Sequence, residues 1–204
     1  MTVTPFQAAV DVLDRADALL ALDRPKLPLS VREDVRRSCL AMGLAAIDTQ
    51  MHWSIARTDL KGALPAALAN LSISFGDLVK ADHAAVEARR TNSIHRPASA
   101  SRRVLMTAIS WRSFQRADKL AEGLKMVGVK LDDVAAAMVP AEPAKDVRKR
   151  LNKLADRRNA IVHEGDIAVK QRPHAIKRGN ISAGAVAADL LWIRRFLTAL
   201  DSIS

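Results

Sequence analysis

The segment from Leu151 to Asp166 has a residue spacing that strongly constrains how this chain can fold. Apolar residues recur along one side of it, at Leu151, Leu154, Ala155, Ile161 and Val162. That repeat matches one face of an α-helix, and Gly165 just after it is a typical helix stop. The segment therefore predicts an amphipathic helix whose apolar face is buried against the rest of the protein.

The remainder of the chain has the same helical character and few residues typical of sheets. Aromatic residues make up 3% of the 204 residues and tyrosine is absent, which argues against a sheet-rich fold and against base-stacking RRM or OB domains. Apolar residues make up 49%, as expected of a globular protein. We predict an all-α, single-domain bundle of about five to seven helices over residues 1–204. Residues 1–29 would form an N-terminal helix and connector, and residues 30–204 the core of the bundle.

Two long helices are predicted in the middle of the chain. One follows Pro65 and continues to about Arg90, and the other covers residues 104–124. The second carries Trp111 and Phe114, which we place in the core because large aromatic side chains dominate protein interiors.

Three polar residues, Arg158, Asn159 and His163, lie in the last turn and a half of the helix predicted first. Asn159 and His163 are about 40° apart around the helix axis and share a face, whereas Arg158 and His163 are about 140° apart. The long arginine side chain can reach round, the helix can loosen before His163, or a second copy of the chain can supply the missing half. A cation, an amide and an imidazole are groups suited to phosphodiester cleavage.

The motif Arg158-Asn159-Ala160-Ile161-Val162-His163 resembles the R-x4-6-H signature of the HEPN superfamily, with a polar residue directly after the arginine. The resemblance extends from about Ser30 to the C-terminus, and its specific part is the motif itself. It implies an HEPN-like helical bundle and a metal-independent endoribonuclease without a cofactor. Members of the superfamily occur as toxins, abortive-infection proteins and CRISPR-associated effectors. Other members are non-catalytic dimerisation or nucleic-acid-binding modules, and this alternative stays open.

The resemblance also implies a role for each residue of the motif. His163 would be the general base or acid, Arg158 would stabilise charge on the phosphate, and Asn159 would orient the pair. The products would be a 2′,3′-cyclic phosphate and a 5′-hydroxyl. Sites of this kind are typically shared between two protomers, so the implied partners are RNA and a second copy of the chain.

Asp48 lies inside a helix predicted from Ser30 to about Ile55, which begins with a capping-box pattern at Ser30 and Glu33. A carboxylate in the apolar part of a helix needs a partner unless it faces solvent, and both alternatives are open. HEPN bundles often carry an acidic or polar residue on an early helix that reaches the motif arginine. The resemblance therefore makes Asp48 the candidate that holds Arg158.

Gly165 marks a departure from one HEPN toxin subset. That subset has R-x4-H-x-Y, and an antitoxin modifies its tyrosine, but Gly165 occupies the corresponding position here. This form of regulation is therefore in doubt, and the presence of another antitoxin or regulatory partner stays open.

The formal net charge of +10 favours a polyanionic partner, and nucleic acid is the usual one. Basic residues concentrate in two predicted loops, one at residues 89–103 and one directly after the motif. The alternative is that these are ordinary surface loops that happen to be basic. We predict that five basic side chains contact the RNA backbone: Arg102, Arg103, Arg157, Lys170 and Arg172.

Cys39 is the only cysteine, so no internal disulfide can form. A reducing compartment follows, and we predict a cytoplasmic protein in which Cys39 is a small buried apolar side chain rather than a nucleophile. There is no signal-peptide pattern and no apolar stretch long enough to cross a bilayer, so we expect no membrane partner.

No motif of another enzyme class is present, such as a P-loop, a G-x-G-x-x-G sequence or a C-x-x-C pair. Asp82, His83 and Glu87 superficially resemble metal ligands, but no second cluster completes them, and we interpret them as a solvated helix face. A plainer alternative treats Arg158 and His163 as a structural pair that caps the helix and neutralises Asp166.

Overall fold

The computed structural model describes residues 2–91, 97–167 and 176–203, and within these ranges the protein is all-α without a β-strand. The predicted fold class is therefore confirmed. The described helices are α1 (Pro5–Leu20), α2 (Leu29–Arg57), α3 (Ala66–Ala69), α4 (Phe75–Arg90), α5 (Pro97–Ile109), α6 (Ala117–Met126), α7 (Leu131–Ala137), α8 (Ala144–Glu164) and α9 (Ala183–Ser202).

These nine described helices exceed the five to seven that we predicted, because each of the two long central helices is divided. The segment after Pro65 forms α3 and then α4, which starts anew where the Ser74 side chain accepts a hydrogen bond from the Asp77 N–H. The segment over residues 104–124 is interrupted by a loop at residues 110–116 that separates α5 from α6. The predicted loop at residues 89–103 is helical at both ends, since α4 continues to Arg90 and α5 begins at Pro97, and its residues 92–96 lie outside the described residues.

α2 lies at the centre of the bundle and packs against α1, α5, α6, α8 and α9. It begins at Leu29, with Pro28 as its N-cap and no side-chain cap. The predicted capping box at Ser30 and Glu33 is therefore wrong, because Ser30 is already inside the first turn of the helix. Large side chains fill the core around α2, among them Leu44, Ile47, Met51, Phe114, Trp192 and Phe196.

The interruption between α5 and α6 separates the two aromatic residues that we placed in the core. Phe114 is buried, as predicted, but Trp111 is 74% exposed, so that prediction is wrong. The reason is that residues 110–116 are bonded to Asp48 of α2 and do not continue the helix. The Asp48 carboxylate accepts hydrogen bonds from the Phe114 N–H and from the Gln115 side chain, both at 2.5 Å.

Candidate active site

The motif helix is α8, which packs against α2, α6 and α7 with Leu151, Leu154 and Ala155 buried. The predicted burial of Val162 is wrong, because the last turn of the helix extends to the surface and leaves this side chain 49% exposed. The helix remains regular through Glu164 and ends at Gly165, which adopts the left-handed conformation with a φ of 61°. This end agrees with the sequence prediction, because glycine takes that conformation without steric cost. Arg158, Asn159 and His163 consequently lie on one continuous, regular stretch of helix.

The three motif side chains contact one another through the arginine. Arg158 Nη1 donates a hydrogen bond to Asn159 Oδ1 at 3.2 Å and lies 3.4 Å from His163 Nε2. The helix does not loosen before His163, and the arginine side chain does reach round within one chain, whereas a contribution from a second copy stays a prediction. An arginine N–H only donates, so this contact is a hydrogen bond in the tautomer of His163 that carries its proton on Nδ1.

The motif is open to solvent. His163 is exposed, whereas Arg158 and Asn159 are half-buried. Among the described residues, Arg158 has no carboxylate partner within ion-pair distance, so its guanidinium keeps donors for an incoming anion. A cation that can bind a phosphate therefore lies in direct contact with an imidazole that can accept a proton.

The adjacent Arg157 has a different environment. Its guanidinium donates from both terminal nitrogens to the two carboxylate oxygens of Asp166, with Nη2 and Oδ2 separated by 2.8 Å. Nη2 also donates to the carbonyl of Asn180 at 3.3 Å. These contacts give Arg157 a structural role, and its contact with RNA stays a prediction.

Asp166 is the centre of a buried charged cluster. It is 3% exposed, has a φ of 58°, and also accepts a hydrogen bond from Arg37 Nε at 2.7 Å. Burial alone would lower the pKa of Arg37, but hydrogen bonds to Asp166, Asp34 and Glu33 raise it above its ordinary value. Arg37 and Arg157 both form ion pairs with Asp166. The alternative in which Arg158 and His163 neutralise Asp166 is wrong.

The Asp166 cluster also holds the chain that returns after the motif. Arg37 Nη2 donates to the Gly179 carbonyl at 3.0 Å, and the Gly179 N–H donates to the Asp166 carbonyl at 2.8 Å. An isolated antiparallel bridge pairs Ile167 with Arg178. The end of α8 is thus fixed to α2 and to the segment leading into α9.

Asp48 has partners, as a half-buried carboxylate requires, but Arg158 is not among them. Besides the Phe114 N–H and the Gln115 amide, it accepts a hydrogen bond from the Ser113 hydroxyl at 3.3 Å. These three bonds fix the loop between α5 and α6. The contact with Arg158 that the resemblance implied for Asp48 is absent from the described structure.

Arg102, another of the predicted RNA contacts, is also hydrogen-bonded within the protein. Its guanidinium donates to the carbonyls of Ala56 and Thr58 at the C-terminal end of α2. Carbonyls at a helix end lack intrahelical partners, and a cation satisfies both their hydrogen bonding and the helix dipole. Arg103 is exposed on α5. Lys170 and Arg172 lie outside the described residues.

A row of lysines on α8 was missed by the sequence analysis. Lys145, Lys149 and Lys153 recur every four residues, are all exposed, and have no carboxylate within ion-pair distance in the described part of the chain. By helical geometry they lie within about 80° of His163 around the helix axis. The spacing of four residues is visible in the sequence and is the signal that places these lysines on the exposed face of one helix.

Lys149 and Lys153 line a pocket between α8 and α9. The pocket measures about 330 Å³ and is completed by Asp146, Arg150, Leu154 and Asp189. Arg150 is paired with Asp189 at 3.1 Å, which leaves the two lysines as the cations of this pocket that have no ion-pair partner among the described residues.

No group of three or more metal-ligating side chains is close enough together to hold a metal ion in the ranges that the structure covers. Nor does any helix described there combine the length and the apolar character needed to cross a bilayer. No protein-family model, curated protein or solved structure matches this chain. Its function therefore has to be inferred from the residues at the end of α8.

Proposed function

We propose that this protein is a metal-independent, HEPN-type endoribonuclease that cleaves RNA to 2′,3′-cyclic phosphate and 5′-hydroxyl ends. The observation that carries the proposal is the contact of Arg158 Nη1 with both Asn159 Oδ1 and His163 Nε2. A guanidinium without a carboxylate partner among the described residues, next to an imidazole nitrogen, supplies both a phosphate ligand and a group that can act as a base. Asn159 supports this arrangement because its amide oxygen holds the guanidinium that faces His163.

In the proposed reaction, His163 Nε2 takes the proton of an RNA 2′-hydroxyl while the 2′-oxygen attacks the adjacent phosphorus. Arg158 stabilises the negative charge that grows on the non-bridging phosphate oxygens. The bond from phosphorus to the 5′-oxygen then breaks, and the leaving oxygen takes up a proton. The products are a cyclic phosphate and a 5′-hydroxyl, and no water is consumed in this step.

The proposed reaction uses two proton-transfer groups, a base for the 2′-hydroxyl and an acid for the 5′-oxygen. One chain supplies a single histidine in the motif, and His163 is exposed to solvent on the surface of the protein. We propose that the motif of a second copy supplies the acid, so that the active enzyme is a homodimer with a shared site.

The alternative is a non-catalytic HEPN-like module that binds RNA or dimerises. The lysine row on α8 favours RNA contact under either proposal, because cations without carboxylate partners are suited to a phosphate backbone. By the same resemblance, an active enzyme would be a cytoplasmic toxin or phage-defence effector, with an antitoxin or another regulatory partner.

Cleavage of a labelled mixed-sequence RNA in the presence of EDTA tests the proposal. The wild-type protein should cleave, and His163→Ala should lose at least about a hundredfold in rate, since a positioned acid or base contributes that much. His83→Ala is the matched control, because His83 is exposed on α4 and distant in sequence from the motif. Equal cleavage by wild type and His163→Ala would contradict the proposal. Salt-sensitive RNA binding without cleavage would favour the alternative.

A further inference from the structure

Trp111 is the most exposed tryptophan of this chain, with 74% of its surface accessible. It lies in the loop at residues 110–116, between α5 and α6. A single exposed apolar side chain is common on protein surfaces, but tryptophan is enriched among the residues that contribute most to binding. A binding role for Trp111 requires that this loop be held in a fixed position.

The loop is held firmly from the side of α2. Asp48 accepts hydrogen bonds from Ser113, Phe114 and Gln115, so its carboxylate binds three consecutive residues. His52, one turn further along α2, donates from Nε2 to the Arg112 carbonyl at 3.0 Å, and its ring meets the edge of Phe114. The buried Phe114 anchors the loop in the core.

The other end of the loop is tied to the motif helix. The Ala117 N–H donates to Asn152 Oδ1 at 3.0 Å, and Arg116 forms an ion pair with Asp156. Asn152 and Asp156 lie on the same stripe of α8 as His163, and Asp156 precedes His163 by about 10 Å along the helix axis. The loop therefore occupies the same face of the bundle as part of the motif helix.

Arg112 places a positive charge next to the exposed ring of Trp111. Its guanidinium carbon lies 5.0 Å from the centre of the Trp111 ring, and Nε is buried without a hydrogen-bond partner. Among the described residues Arg112 has no carboxylate within ion-pair distance, whereas the neighbouring Lys119 is paired with Glu122 at 2.9 Å. A pocket of about 300 Å³ adjoins them and is lined by Trp111, Arg112, Ser113, Phe114, Lys119 and Glu122.

We propose that Trp111 and Arg112 form a subsite for one nucleotide of single-stranded RNA, separate from the site of cleavage. A base stacks on the indole ring, and the adjoining phosphate binds the guanidinium. An unpaired cation beside an exposed aromatic ring, in a chain of net charge +10, favours RNA over a protein partner. This subsite rests on the proposed function in one respect, namely that RNA is the ligand.

Trp53 provides a matched control within the same chain. It is 39% exposed and has an arginine, Arg57, at 5.4 Å from its ring centre. Arg57, however, donates to the Val3 carbonyl, so its guanidinium already has a protein partner. Each of the two tryptophans therefore has an arginine over its ring. The arginine at Trp53 also donates to a backbone carbonyl, whereas Arg112 at Trp111 has no carboxylate partner among the described residues.

The test is binding of a 2′-O-methyl mixed-sequence oligoribonucleotide, which lacks the attacking hydroxyl and cannot be cleaved by the proposed reaction. Trp111→Ala should weaken binding by about tenfold, because stacking of a single base on an aromatic ring has that magnitude. Trp111→Phe should retain most of the affinity, and Trp53→Ala should bind as wild type does. In a Trp53→Phe background, the oligonucleotide should quench the fluorescence of Trp111. The far-UV circular dichroism of each variant checks that it is folded.

Unchanged binding in Trp111→Ala would overturn the subsite. So would a change in oligomeric mass, measured by light scattering, without a change in RNA affinity, since Trp111 would then be a contact between copies of the chain. Failure of the proposed nuclease gives a different result: the wild-type protein would bind the oligonucleotide through Trp111 and still not cleave unmodified RNA.

Discussion

At the scale of single residues, Asp166 explains why two adjacent arginines have different roles. It binds Arg157 and Arg37 in a buried cluster, whereas Arg158 is left to contact Asn159 and His163. The sequence indicated which residues form the motif, because Arg158 and His163 are close along one helix. It could not indicate the role of Arg157, because that role depends on a partner brought back by the turn after Gly165.

Replacing Asp166 by alanine should lower the free energy of unfolding by about 3–5 kcal/mol. The substitution removes the carboxylate shared by the buried Arg37 and the half-buried Arg157, so Arg157 loses its ion-pair partner and Arg37 keeps only Glu33 and Asp34. Removing one partner from a buried charged cluster is strongly destabilising. Urea denaturation measures the difference. Asp156→Ala is the control, because the pair of Asp156 with Arg116 is largely exposed and should contribute less than about 1 kcal/mol. Equal losses in the two variants would show that the Asp166 cluster does not stabilise the fold.

At the scale of helices, local sequence signals predicted where α8 ends, whereas a long-range contact determines where α5 and α6 are separated. Gly165 marks the end of α8, and apolar spacing predicted the burial of Leu151, Leu154 and Ala155 on that helix. The division of α5 from α6 was not predictable in this way. Residues 104–124 have helical periodicity, which predicts one continuous helix. The Phe114 N–H, however, donates its hydrogen bond to the Asp48 side chain, which lies 66 positions earlier in the chain. A contact over that sequence distance leaves no local pattern, and Trp111 was misplaced for the same reason.

The lysine row on α8 makes a prediction about salt dependence. Replacing Lys145, Lys149 and Lys153 by glutamine should reduce the slope of log affinity for single-stranded RNA against log salt concentration by about 2, because each lost phosphate contact removes about 0.7. Affinity titrations over a range of salt concentrations measure the slope. The control replaces Lys26, Lys61 and Lys130, which are also exposed, and so removes the same charge elsewhere. Similar changes in both triple variants would indicate a general effect of net charge instead of a defined contact surface.

At the scale of the whole molecule, side chains from α1–α3 and α5–α9 form one continuous core, in agreement with the all-α fold predicted from composition and spacing. Cys39 lies within this core and is fully buried, as predicted. Burial, assisted by the nearby Asp17 charge, raises the pKa of its thiol to about 11 from an ordinary value of 9.0. Ionisation of this single thiol is therefore linked to unfolding of the whole domain.

The linkage predicts how stability changes with pH. Between pH 9 and about 11 the thiol loses its proton in the unfolded chain but keeps it in the folded one, so the free energy of unfolding contributed by Cys39 falls as pH rises. The stability of wild type relative to Cys39→Ala should consequently be constant below pH 9 and decrease above it. Urea denaturation of both proteins across this range measures the effect. A difference that does not change with pH would mean that the thiol titrates alike in both states.

The central claim is that Arg158, Asn159 and His163, held on one helix of this all-α fold, carry out transesterification of RNA. The most direct test is to identify the ends of RNA fragments produced by the wild-type protein in EDTA, with Arg158→Ala as the control. We predict 2′,3′-cyclic phosphate and 5′-hydroxyl ends from the wild type, and at least about a hundredfold less product from Arg158→Ala, as expected when a transition-state hydrogen-bond donor is removed. Fragments with 3′-hydroxyl and 5′-phosphate ends, or equal product from both proteins, would contradict the proposed chemistry.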